Sequence, residues 1–337
     1  MSQDPHEPLR DDVHLLGDIL GETLRQRAGE DLLHTVERVR ALSKARRLRS
    51  SKDVDELGEL LRSMPVADAV PVARAFSHFL TLANIAEQHH RVRRRREYLR
   101  DPAAPPQSGS FKATFRELLD RGTSAAELHA AVSSLQIGLV LTAHPTTITR
   151  RTLAHKQRRI ADLLAQEDRP DLTAPERDDV LAELRREITA MWETDEIRAE
   201  RPTPLEETIS GLLVFEGSLW DAVPRYLRSL DLSLREATGQ PLPLNAAPIR
   251  FGSWMGGDAD GNPTITPEVT RKACLVSRWM AADLYERDIT ALQLELSVTQ
   301  ANQHLQDRTH RSREPYRAVL RELRTRLRAT RPTTRGA

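Results

Sequence analysis

The first residue of this sequence equipped for chemistry is an imidazole at the end of a short apolar run. His144 follows Leu139-Val140-Leu141-Thr142-Ala143, and Pro145 fixes the backbone directly after it. Arg150 and Arg151 stand a few residues further on. Imidazole exchanges a proton near neutral pH. Guanidinium groups grip phosphate and carboxylate with two parallel hydrogen bonds. Together they suit proton transfer on an anionic substrate.

A second group follows another apolar run. Phe251-Gly-Ser-Trp-Met-Gly-Gly-Asp-Ala-Asp-Gly-Asn-Pro263 carries glycines at 256, 257 and 261, with Asp258, Asp260 and Asn262 among them. Such a loop can bring backbone N–H groups to an anion, or carboxylates to a metal. Sequences of this kind also form ordinary turns. A third group, Trp192-Glu-Thr-Asp-Glu-Ile-Arg198 running on to Arg201-Pro-Thr-Pro204, mixes charge with one large ring.

The elements that must position these residues are nearly all helices. Hydrophobic residues three and four apart predict helices over 9–27, 32–47, 54–64, 71–100, 150–166, 174–200, 206–230, 266–305 and 313–328. Phe111 to Asp120 and Ser124 to Ser134 read as two shorter ones, the second opening on a capping box with Glu127. Only Ile137–Thr142 and Pro248–Trp254 read as buried strands, and two strands make no stable sheet alone. The expected organisation is a helical region over 1–100, a Pro/Gly/Ser-rich break at 101–110, a strand-and-helix region over 111–330, and a disordered tail at 331–337.

Composition narrows the partners. The formal net charge of +1 gives no general reason to expect nucleic acid. The one cysteine, Cys274, excludes an intramolecular disulfide framework and fits a reducing cytoplasm. No apolar run is long enough to span a membrane. The Arg93–Arg96 run, without interleaved aromatics, reads as a solvated or interface face. His89 and His90 point to different helix faces and read as packing or surface groups. Trp192, Trp220, Trp254 and Trp279 read as core.

Taken in order, the three motifs resemble phosphoenolpyruvate carboxylase, from residue 9 to about 330, with supporting stretches at Asn84–Arg93, Ser218–Pro224 and Arg313–Arg317. Arg331 to Ala337 reads as unrelated to the family. The resemblance implies the N-terminal part of a helix-rich β/α barrel, whose sites lie at the C-terminal ends of strands. It implies carboxylation of phosphoenolpyruvate by bicarbonate to oxaloacetate and phosphate. His144 then matches the base, and Arg150 and Arg151 a pair that binds phosphorylated activators in some members. Asp258, Asp260 and Asn262 fall beside substrate or phosphate. A magnesium or manganese ion is implied, with ligands outside this chain, and so is an oligomer. Thr147 and Ala259 depart from the family pattern, which has an acidic or amide residue and an arginine there. The chain is also far shorter than family members. It is therefore expected to be incomplete and inactive alone; the alternative is a non-catalytic remnant or helical binding protein.

Overall fold

The computed structural model describes residues 4–47, 51–101, 103–142, 151–196 and 202–330, without the side chains at 46, 47, 51–55 and 151. Among them the protein is mainly helical, with one pair of parallel strands. Its contacts divide it into two units, one of residues 1–104 with 149–198, the other of 105–148 with 199–337.

The first unit is a helical assembly: α1 (Glu7–Ala28), α2 (Glu30–Arg47), α3 (Ser51–Ser63), α4 (Val66–Arg100), α7 (Arg151–Glu167) and α8 (Ala174–Glu193). α4 buries Val72, Ala75, His78, Leu82, Ala86 and His90, a stripe at spacings of three and four. That stripe joins Leu16, Leu20 and Leu24 of α1 and Leu184, Ile188 and Met191 of α8 in one core. Pro71 lies inside α4, beyond its first four residues, so the helix lacks one i→i−4 hydrogen bond there.

A buried ionic cluster ties these helices. Arg93 reaches Asp12 on α1, with Nη2 3.2 Å from Oδ2, and Asp168 just beyond α7, with Nη2 3.0 Å from Oδ1. His89 Nε2 stands 3.4 Å from the same Asp168. The run reads as a solvated or interface face; Arg93 instead turns into the unit's interior, with its side chain only 13% exposed. Arg94 fits that reading, with its side chain 51% exposed and paired within its own helix to Glu97.

Burial holds the His78 imidazole below its ordinary pKa; Glu196 opposes this and Arg74 reinforces it. His90, against the His6 ring at 5.8 Å, is lowered first by burial and then by Arg93. A histidine with a lowered folded pKa takes up its proton more readily when unfolded. Its stabilising effect is complete above the ordinary value near 6.5 and is lost as pH falls below it. The first unit should therefore weaken from about pH 6.5 downward, by at most ~1.4 kcal/mol per pH unit for each histidine. Asp12, raised by burial against the pull of Arg93, acts in the opposite sense at lower pH. Hydrogen exchange of α4 amides between pH 7 and 5 measures the slope, and H78Q with H90Q should flatten it.

The second unit contains α5 (Phe111–Asp120), α6 (Ala125–Ser133), β1 (Ile137–Leu141), α9 (Pro204–Val214), α10 (Trp220–Thr238), β2 (Ile249–Ser253), α11 (Pro267–Glu295), α12 (Gln303–Arg308) and α13 (Pro315–Thr330). The expected capping box is present: the side chain of Ser124 accepts from Glu127 N, and Glu127 accepts from Ser124 N at 2.9 Å. α5, α6 and α10 close on Phe115, Leu128, Val132, Leu230 and Leu234. Leu212, Met280 and Leu284 form a second core, flanked by Phe215, Trp220 and Trp279.

Two expected helices are interrupted. The 206–230 stretch passes through a π-helical turn at Phe215–Leu219, and Pro224 inside α10 has no N–H to offer. The 266–305 stretch ends at Glu295 and restarts at Gln303, because the Asn302 side chain caps α12 by accepting from Leu305 N at 2.9 Å.

Candidate functional site

β1 and β2 pair in parallel, Ile137 opposite Ile249 through Leu141 opposite Ser253. Both C-terminal ends therefore lie at one edge. Trp254 N donates to Leu141 O at 2.9 Å, so the pairing continues to the point where the two motif-bearing loops leave. His144 and Arg150 lie outside the described residues. Arg151 opens α7 in the first unit. Asp258, Asp260 and Asn262 all stand in the loop after β2.

That loop is built by its own hydrogen bonds. Gly257 N and Asp258 N both donate to Trp254 O at 3.0 Å, and Asn262 N donates to Ala259 O at 3.2 Å. Asn262 Oδ1 accepts from Thr264 N at 3.1 Å and Thr264 Oγ1 at 2.6 Å, while Asp258 Oδ1 accepts from Asp260 N at 3.4 Å. The amide of Asn262 and one oxygen of Asp258 thus shape the turn. All three side chains are exposed.

The root of the loop is buried and tightly fitted. Met255 packs against α9, where Gly211 leaves space: a Cβ there would fall 2.1 Å from Met255 Sδ. Gly256 has φ +72°, and a Cβ on it would meet Ala273 Cβ at 2.6 Å and Thr208 Oγ1 at 2.8 Å. Thr270 Oγ1 holds its carbonyl at 2.8 Å. G256A should therefore lower stability by about 3 kcal/mol, from left-handed strain plus overpacking. A chemical denaturation curve checks this, with G257A as the unstrained comparison.

Trp254 corrects the reading of the four tryptophans as core. It is 57% exposed where β2 ends, whereas Trp192 is buried. Leu139 and Val140 of β1 are likewise 43% and 56% exposed. An apolar run bounded by turns signals a buried strand, but here the strand faces lack covering layers among the described residues. Trp254 is the large apolar group of this edge that sequence reasoning missed. Its place directly before the glycine-rich loop was the available signal.

The first part of the third motif, Trp192 to Glu196, belongs to the first unit. Arg74 of α4 donates to the carbonyls of Trp192 and Thr194, the latter at 2.7 Å, and its Cζ lies 4.7 Å from the Trp192 ring centroid. It thereby caps the C-terminus of α8 with a cation from a neighbouring helix. His78 Nε2 is 2.7 Å from Glu196 Oε1. These contacts fix the end of α8, where the motif begins.

The family model for phosphoenolpyruvate carboxylase matches residues 9–337. The chain belongs to the phosphoenolpyruvate carboxylase family. The match includes Arg331 to Ala337, which overturns the reading of that tail as unrelated. The phosphoenolpyruvate carboxylase of Ectopseudomonas mendocina (strain ymp) is 49% identical over 323 residues, 96% of this chain and 36% of the relative. That of Pseudomonas fluorescens (strain Pf0-1) is 50% identical over the same length and shares. That of Hahella chejuensis (strain KCTC 2396) is 46% identical over 334 residues, 98% of this chain and 37% of the relative. The chain thus spans little more than a third of the phosphoenolpyruvate carboxylases it matches.

The family resemblance implies a divalent cation with its ligands outside this chain. Among the described residues no three His, Cys, Asp or Glu side chains gather. Asp258 is engaged within the loop, and Asp260 stands exposed. Among the described residues, no helix is long and apolar enough to cross a membrane.

Proposed function

We propose that this chain supplies the histidine-bearing wall of a phosphoenolpyruvate carboxylase site, which catalyses once the remainder of the family's length is added. The observation that carries this reading is the parallel pairing of β1 with β2, which sends both motif-bearing loops from one edge. In β/α barrels that edge carries the active site, and the barrel is part of the proposal.

The reaction assigns work to the chain's own residues. Bicarbonate attacks the phosphorus of phosphoenolpyruvate, the bond from phosphorus to the enol oxygen breaks, and carboxyphosphate and pyruvate enolate result. His144 takes the proton of the carboxyl group, carbon dioxide leaves phosphate, and the enolate carbon captures it to give oxaloacetate. A neutral imidazole suits that transfer near pH 7. Asp258, Asp260 and Asn262 line the substrate side, and Arg150 and Arg151 answer to the pair that binds phosphorylated activators in some members. We place the reaction in the cytoplasm, where a free cysteine stays reduced, and take the working form to be an oligomer.

Co-expression with the C-terminal two-thirds of the Ectopseudomonas mendocina relative tests the reading. Oxaloacetate formation should exceed that of either piece alone and should vanish with H144N. A pair with no activity beyond its separate pieces would count against it.

A second reading, a helical binding protein without the reaction, is favoured by the exposed Leu139, Val140 and Trp254. Open strand edges and bare apolar faces promote association. The 337-residue chain prepared by itself should therefore sediment as oligomers, and V140K should raise the monomer fraction. A monodisperse monomer in analytical ultracentrifugation would contradict this expectation.

A further inference from the structure

Between α1, α2 and α4, the first unit carries a furrow of about 480 Å³ that the candidate site does not use. Gly17 and Gly21, one turn apart on α1, leave its floor open. A Cβ on Gly17 would come 3.4 Å from the Phe79 ring, and one on Gly21 3.9 Å from Leu33 Cδ1. Leu24, Phe76 and Phe79 form its apolar walls. The volume lies within the range of roughly 300–1,000 Å³ common for small-molecule sites.

The charged groups lie on α2. Glu37, Arg40 and Lys44 stand at spacings that bring them to one helix face. Arg40 Nη1 is matched by Glu37 Oε1 at 3.0 Å. Lys44, exposed, has no carboxylate partner among the described residues. An occupant must therefore be apolar along its body, and among the described lining residues the charge left to complement is positive.

We propose that this furrow binds a single-chain anionic amphiphile, with its alkyl chain along Gly17 and Gly21 and its head group at Lys44. Titration calorimetry of the 337-residue chain with dodecanoate below its micelle concentration tests this, with dodecanol as the uncharged control. Dodecanoate should bind saturably, one per chain. G21L fills the furrow and should weaken both ligands about tenfold or more. Leucine favours helix over glycine, so unfolding is not the expected cause, and circular dichroism verifies that. K44E should weaken dodecanoate roughly fivefold, the scale of an exposed ion pair, and leave dodecanol unchanged.

Absence of saturable binding would overturn the proposal. So would binding that survives both variants, which would belong to the exposed strand faces of the second unit. An equal loss of both ligands in K44E would overturn the assignment of the head group. The inference is independent of the proposed reaction, because neither variant touches the strand edge.

Discussion

Replacing Arg93 by methionine should destabilise the first unit by about 3 kcal/mol, the scale on which breaking a buried ion pair leaves charge uncompensated. Arg93 is the cation between two carboxylates from different parts of the chain. Asp12 is 8% exposed at its side chain and Asp168 is 35% exposed. Without the guanidinium, Asp12 would remain buried without the cation that most opposes its desolvation. Desolvation already raises the Asp12 pKa even with Arg93 present, so its loss would favour a protonated Asp12 or local opening of α1. R94M is the matched control. Its target is exposed and paired three residues away, so its effect should stay within about 0.5 kcal/mol. Urea denaturation of both variants decides the matter. Equal effects would mean that the buried network contributes no more than a surface pair.

The same contrast shows what the sequence could reveal and what it could not. Arg93 and Arg94 are adjacent in one basic run, and nothing local separates them. What separates them is Asp12, 81 residues back, and Asp168, 75 residues on. A pairing at that distance leaves no periodic trace. The Ser124 capping box was legible because all of its parts lie within one turn. The strands were legible because apolar runs bounded by turn residues have few other uses, and each boundary held to within about a residue.

Trp254 shows the limit of that rule. An apolar run reports that a strand can be buried, and burial itself depends on layers supplied from elsewhere. The break between α11 and α12 has another cause. Ser297-Val-Thr-Gln-Ala-Asn302 keeps an acceptable helical pattern, but the Asn302 cap offers the backbone a competing start. For the candidate site, the residue types and their order were readable. The common edge followed from the resemblance, which implies a barrel whose sites lie at the C-terminal ends of strands. That this loop turns on its own Asp and Asn residues was readable from its composition; which oxygens close it was not, because that depends on local backbone angles.

That loop geometry leads to the other large effect. In the enzyme reconstituted with a C-terminal portion, A259R should raise the rate of oxaloacetate formation by about 100-fold, the lower end of what one well-placed stabilising donor contributes to a transition state. By the resemblance the family pattern has arginine where this chain has Ala259, and the proposed reaction passes through two anions, carboxyphosphate and enolate. The structure makes the test clean. Ala259 is exposed, and its contribution to the turn is its carbonyl, which accepts from Asn262 N. A longer side chain can leave the loop without displacing packed atoms, so stability should change by no more than about 0.5 kcal/mol. A259M separates bulk from charge and should leave the rate unchanged. A259K should fall between the two, because an ammonium lacks the planar fork that grips two oxygens at once. Equal rates for the arginine and methionine variants would show that position 259 does not face the reacting anions, and the cation would have to be sought elsewhere in the site.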